Sequence, residues 1–510
     1  MDSFGGPNSS GLVATLEVIV HVSSSIKSPS PYHQYLFHGP TSTIPFAKIA
    51  APDFKNDRQI PSKNMRIYSL LVASAAVAVP VSAGSNELSS LPTVKLDYST
   101  IQAIGGNSTV GYYKFQNIRY SKAPIGDLRF AAPQWPDVET GINTGSLADT
   151  DVDCASSEDC LFLDVWALLT PWGGTCPCWS TTTVVDFIYV AYIYRLGITG
   201  VATGPTYQHE GGVSNLAVWD ATHAFEWVHK YISNFGGNPS DVTAVEFSAC
   251  GSQIGFQMTR FGGNAPQLFQ KAFIMSPGYL PSVGHHQAEQ FWQNGHFNFS
   301  GPCVLTHEQH EYNTVAYTGV ESEGDISMTL RVLFPAITDD VIEELLTLYP
   351  AENYASAGLR LSDIQQSFEI TAKNQVLTRA LNNQTWNGEV GIGPAKHGTD
   401  QGYYFYSKHK FSASSNQTTS ATTFNTAEAA LVGAITSPVN ETIARKMQKY
   451  LLSLVLTGNP NSAWTDDKLY WPRYDNCTMG VQIVMNGTFS VAKDNLATST
   501  SFFWNKALWY

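Results

Sequence analysis

Positive charge is scarce in this chain. Its 29 Lys and Arg stand against 42 Asp and Glu, a formal net charge of −13, and no basic run gathers them. Neutralising a phosphate backbone requires clustered cations, so a nucleic-acid partner is excluded. Long apolar runs are missing too. The stretch 67–79 is too short to cross a bilayer comfortably and is ended by Pro80, so no stable membrane span is expected. Between Leu91 and Tyr510 no linker, repeat or low-complexity block is long enough to divide the chain, and the Ser/Thr/Asn-rich residues 412–426 read as one exposed loop. Global disorder is excluded in turn, because 43% hydrophobic and 12% aromatic content over 510 residues supplies ample mass for a large core.

The short apolar stretch has its own meaning. Arg66 precedes it and Val81-Ser82-Ala83 follows, so residues 65–83 have the layout of a secretory signal peptide. That position predicts translation from Met65, with residues 1–64, rich in Ser, Pro and Gly, as a disordered or mis-annotated extension, and residues 84–510 as a single domain. A secreted, extracellular chain meets the glycosylation machinery, and N-x-S/T acceptors occur at Asn107, Asn298, Asn383, Asn416, Asn440, Asn476 and Asn486. Seven cysteines suit an oxidising compartment and leave at least one thiol over. Cys154 and Cys160 are the expected disulfide pair, while Cys250, with no histidine beside it in sequence, is expected to be a buried free thiol.

The strongest chemical signal is incomplete. Residues 238–251 read NPSDVTAVEFSACG, in which a β-rich run at 242–245 leads into Ser248 and then into a helical pattern that continues through Met258. A serine on a sharp strand-to-helix turn is a nucleophile elbow, but both glycines of G-x-S-x-G are absent. Glu246 and Cys250 occupy their places, where side chains crowd the neighbouring strand and helix. Around this segment, short β-branched runs at 184–194, 242–245 and 272–275 alternate with helical patterns at 216–235 and 339–348. The alternation predicts an α/β fold with a central, mostly parallel twisted sheet covered by helices on both faces.

Several separated segments together resemble the type B carboxylesterase and lipase family of the α/β-hydrolase fold, which includes cholinesterases and secreted fungal members. Residues 113–133, YKFQNIRYSKAPIGDLRFAAP, are similar to its early strand and Gly-Asp-Leu-Arg-Phe segment. SEDCLFLDVW at 157–166 resembles its SEDCL signature, whose cysteine forms a disulfide in the family, and YRLG at 194–197 resembles its NYRLG. Residues 215–241 are similar to the segment that ends at its elbow.

The resemblance implies a Ser, acid, His triad in that chain order. A serine hydroxyl is a poor nucleophile until an imidazole takes its proton, and the imidazole needs a carboxylate to fix its tautomer. Ser248 aligns with the nucleophile. His397, in KHGTD before the aromatic run 403–406, matches the family's H-G-x-[DE] loop, which leads there into a strand. Two glutamates compete for the acid. Glu323 in ESEGD is the better literal match, whereas Glu311 has the family's spacing to a later Tyr-Pro pair, here Tyr349-Pro350, and follows the strand-like Val304-Leu305. Spacing favours Glu311, with Glu323 as the alternative acid.

Between Trp166 and Tyr194 the chain is much shorter than the family pattern, whose H-G-G-G loop supplies oxyanion donors. Gly173 and Gly174 are the available substitutes, and the Ala249 N–H is the donor retained by position. His307-Glu308-Gln309-His310 is one residue short of H-E-x-x-H and no third ligand cluster follows, so it reads as a polar loop, with no metal and no cofactor expected. Two readings stand at this point. One is a secreted carboxylic-ester hydrolase acting on a small-molecule ester through an acyl-enzyme; the other is a catalytically impaired or inactive relative with a binding or adhesion role, or a mis-spliced product.

Overall fold

A computed structural model describes residues 15–21, 91–107, 112–145, 157–167, 187–279, 299–406, 439–474 and 481–506. The strands in chain order are β1 (Thr15–His21), β2 (Thr93–Lys95), β3 (Thr100–Gln102), β4 (Gly105–Asn107), β5 (Tyr112–Arg119), β6 (Ile142–Asn143) and β7 (Phe162–Ala167). They continue as β8 (Phe187–Ile193), β9 (Val242–Phe247), β10 (Lys271–Met275), β11 (Cys303–Glu308), β12 (Thr385–Val390), β13 (Val481–Met485) and β14 (Ser490–Lys493). Among the described residues, eleven of them form one sheet in the order β14-β13-β12-β11-β10-β9-β1-β8-β7-β5-β4, and β2, β3 and β6 form a small second sheet.

The expected parallel pairing holds from β9 through β13, the half that carries the site. The rest of the main sheet is antiparallel. Parallel strands need helical crossovers, which cover both faces, and β10, β11 and β12 are accordingly buried along their whole length. Alternate side chains enter different cores. Val242 and Ala244 of β9, with Ala272 and Ile274 of β10, pack with the helix Leu216–Tyr231; Val245, Phe273 and Met275 join the opposite layer under the helix Glu441–Thr457. A third cluster forms among the helices Glu323–Leu333, Asp339–Leu348 and Ala357–Gln366, closed by Phe503 and Trp504.

The run 184–194 yields β8, and 216–235 becomes a helix to Tyr231 followed by a 3₁₀ turn, Ile232–Phe235. Two features depart from expectation. Thr15–His21, inside the stretch predicted to be disordered or mis-annotated, is a strand that pairs antiparallel with β8 on one side and β9 on the other. The aromatic run after His397 begins as a helical turn, Gln401–Tyr404, and not as a strand, because the Asp400 carbonyl accepts the N–H groups of Tyr403 and Tyr404. Among the described residues no helix is long and apolar enough to cross a membrane.

Candidate active site

β9 delivers Ser248 to the carboxyl edge of the parallel strands, where it begins the helix Ser248–Gly263. Its φ is +56°, in the left-handed region that residues with a Cβ seldom adopt, at a typical cost of about 1–3 kcal/mol. The turn is held from outside: the Gly278 N–H, just past β10, donates to the Ser248 carbonyl at 3.0 Å. Glu246 and Cys250 are both accommodated as buried side chains, and the Cys250 Sγ lies 3.4 Å from the Tyr194 hydroxyl. The glycine on which close packing depends is instead Gly251. A Cβ there would meet Ile274 Cγ2 at 3.1 Å and Pro277 Cα at 3.2 Å, so the helix approaches β10 closely at that residue.

Glu311 lies three residues beyond the end of β11. Its Oε1 accepts the Glu308 N–H at 2.7 Å, and its carbonyl accepts the His397 N–H at 3.2 Å, which binds the acid loop to the histidine loop. His397 Nδ1 lies 2.6 Å from Glu311 Oε2 and His397 Nε2 lies 2.7 Å from Ser248 Oγ. An ionised carboxylate only accepts, so Nδ1 carries the hydrogen and Nε2 is left to accept from the serine hydroxyl. Glu311 and His397 are 1% and 4% exposed, which keeps water from competing for these bonds. The imidazole is flanked by Phe247, 4.5 Å between ring centroids, and Tyr312, 5.1 Å. Both rings favour a cation beside them.

The alternative acid is placed elsewhere. Glu323 opens the helix Glu323–Leu333, keeps 63% of its side chain exposed and pairs with Arg360. That is a correction to the literal D-E-G match: the histidine is met by the glutamate with the right spacing, because strand β11 and not motif identity determines which carboxylate reaches the edge. Ala249 N is part of the exposed first turn of the serine helix, an orientation suited to an anion. Gly173 and Gly174 lie outside the described residues. His307 is buried, His310 Nδ1 contacts Asn313 Oδ1 at 3.2 Å, and among the described residues no group of three His, Cys, Asp or Glu is arranged for a metal.

The acceptor asparagines divide by exposure. Asn440 is exposed and caps the helix Glu441–Thr457 through its Oδ1, leaving its nitrogen free, and Asn486 is partly exposed. Asn383 is only 7% exposed at a left-handed turn, so the fold disfavours a glycan there, a constraint that the three-residue acceptor pattern does not encode. The backbone of Asn107 lies in β4, and Asn298, Asn416 and Asn476 lie outside the described residues.

Sequence reasoning missed three neighbours of the histidine. Asp400 is fully buried, and its N–H donates to Glu308 Oε1 at 2.7 Å. Burial also pushes the Glu308 carboxyl well above its usual value, assisted by the charges of Asp400 and Glu311. Burial pushes Asp400 up to about 7, assisted by the charge of Glu311. The third is Glu369, on one wide turn of π-helix, Ser367–Thr371, and also buried. An acidic residue inside the apolar run Ile364, Phe368, Ile370 was the one available signal.

Comparison with known proteins bears on the family and the fold. Residues 91–332 match the sequence pattern described as the carboxylesterase family. A carboxylesterase of Penicillium expansum, patB, is 29% identical over 277 residues, 38% of this chain and 49% of that protein. The para-nitrobenzyl esterase of Bacillus subtilis is 31% identical over 218 residues, 36% of this chain and 44% of that one. The chain spans about half the length of the curated relatives it matches. In three dimensions it is similar to EstA of Aspergillus niger, with a TM-score of 0.64 at 20% identity, over 82% of this chain and 98% of that one, which establishes a shared fold.

Proposed function

We propose, from the match of residues 91–332 to the carboxylesterase family, that this chain is a secreted carboxylic-ester hydrolase. The observation that carries the reading is the continuous hydrogen-bonded line from Ser248 Oγ through His397 to Glu311. Ser248 attacks the ester carbonyl as His397 Nε2 takes its proton. The oxyanion that forms is held by the Ala249 N–H, with Gly173 and Gly174 as further donors. His397 then protonates the leaving alcohol, and Glu311 holds the imidazolium throughout. Water, activated by the same histidine, releases the acid from Ser248. No cofactor enters this cycle.

Secretion rests on the signal-peptide layout of residues 65–83 and on the acceptor sites. Cys154 and Cys160 are the disulfide pair that this reading assigns, on the resemblance of SEDCL at 157–161. The inactive reading has the substitutions Glu246 and Cys250 in its favour, yet the fold accommodates both without breaking the Ser248 to His397 contact.

Release of p-nitrophenol from p-nitrophenyl acetate and butyrate, with Ser248→Ala as control, tests the proposal. The wild-type protein is expected to turn over and to be labelled covalently by a fluorophosphonate; Ser248→Ala should do neither. Equal rates from the two proteins would eliminate the hydrolase in favour of the inactive relative.

A further inference from the structure

Glu369 is a carboxyl group that the proposed cycle does not use, yet it stands beside the reaction centre. Its Oε1 receives the Tyr312 hydroxyl at 3.3 Å and its Oε2 receives the Gln365 amide at 3.0 Å. A carboxylate can accept about four hydrogen bonds, so capacity remains. Among the described residues no Lys or Arg pairs with it, and burial pushes its pKa up, opposed by Gln365 and by the nearby His397. Burying a carboxyl group with two neutral donors is costly, and such a group binds a further donor strongly.

Gly278 marks where that donor would sit. A Cβ built on it would lie 3.4 Å from Glu369 Oε1, 3.8 Å from the carbonyl carbon of Ser248 and 3.9 Å from Ala249 N. These are ordinary contact distances, so the bare glycine faces a spot on which Glu369 Oε1, with a lone pair left beside its bond from Tyr312, the nucleophile's own backbone and the oxyanion donor converge. The ester carbonyl must sit at Ala249 N in both half-reactions, before and after the alcohol has left. A space walled by that nitrogen therefore faces the acyl portion, close to its carbonyl end.

We propose that Glu369 is a specificity-determining residue: it accepts a hydrogen bond from a donor, such as a hydroxyl, carried near the carbonyl end of the substrate's acyl chain. The proposal rests on the ester-hydrolase reading and names its preferred substrate class, hydroxyacyl esters over plain acyl esters. A site built to hydrogen-bond a substrate hydroxyl disfavours the analogue without it, since the buried carboxylate then keeps only its two neutral donors, Tyr312 and Gln365.

The measurement is the ratio of kcat/KM for p-nitrophenyl 3-hydroxybutyrate to that for p-nitrophenyl butyrate. Wild type is expected to favour the hydroxylated ester by roughly tenfold, the usual scale for one hydrogen bond to a charged group. Glu369→Leu should bring the ratio to one or below, and Gly278→Ala, whose added methyl meets no clash, should lower it by occupying the space. A ratio near one in wild type, or one unchanged in both variants, would overturn the proposal while leaving the hydrolase standing. Binding of 3-hydroxybutyramide and butyramide to the Ser248→Ala protein, followed by saturation-transfer NMR, repeats the comparison without turnover. Equal binding of the two amides there would overturn it independently of whether esters are cleaved.

Discussion

At the scale of single residues, the acid is the position where literal motif and geometry disagree, and substitution separates them. Glu311→Gln keeps the acceptor for the Glu308 N–H but no longer holds the His397 tautomer, so kcat for ester hydrolysis should fall by roughly 10³- to 10⁴-fold. Glu323→Gln removes only a half-exposed pair with Arg360 and should leave kcat within about twofold. The reverse pattern in steady-state kinetics would move the acid to Glu323. Asp400 bears on stability. Its folded-state value of about 7 lies above the usual 3.8, so its contribution is complete below about pH 4 and is lost as pH rises toward 7. The groups that face it are Glu308, Glu311, His397 and Tyr404. Asp400→Asn removes that ionisation. Between about pH 5 and 8 the Tm of wild type should fall by a few degrees relative to that of the variant. Parallel Tm curves in scanning fluorimetry would show that the carboxyl does not titrate as described.

Elements carry the next lesson. Arg195, in the Tyr-Arg-Leu-Gly segment after β8, donates from Nε and Nη2 to Asp220 at 2.8 and 2.6 Å, and from Nη1 to the carbonyls of Arg129 and Ala131 at 3.1 and 3.0 Å. One guanidinium thereby pins the Gly-Asp-Leu-Arg-Phe loop to the helix Leu216–Tyr231, with both side chains almost wholly buried. Asp220→Ala strands that cation and should cost about 3–5 kcal/mol, read as a lower urea midpoint at constant m. A loss under about 1 kcal/mol would mean that the carbonyls alone satisfy Arg195. β9 and β10 were legible as short continuous apolar runs suited to strands buried on both faces, and Asp339–Leu348 because its buried Val341, Ile342 and Leu345 recur at helical spacing. Ser248 was legible in the strand-to-helix run at 242–258, whereas His397 and Glu311 were indicated by the family resemblance, through the KHGTD loop and the spacing to Tyr349-Pro350. Glu369 was not, since its place beside Ser248 arises from packing between segments far apart in sequence. The buried bond from the Asp400 N–H to Glu308 was hidden for the same reason.

For the molecule as a whole, β1 is the least expected component. It comes from ahead of the signal-like stretch, yet it links the antiparallel half of the sheet to the parallel half that bears the site. A protein expressed from Met65 lacks that strand, so β8 and β9 would have to pair with each other or leave a gap. The full chain is expected to be the more stable and the more active of the two, by thermal melt and by ester turnover. An equal or better Met65 form would instead assign residues 15–21 no structural role.

Backbone pairing joins Thr15–His21 to both of its neighbours in the sheet, and the sequence that leads from it to Leu91 contains the cleavage-like Val81-Ser82-Ala83. A cut at that tripeptide would thus convert one polypeptide into two that remain clasped, the smaller fragment wedged in the middle of the larger. Such a nicked pair would migrate as one species in native gels and come apart only under denaturant.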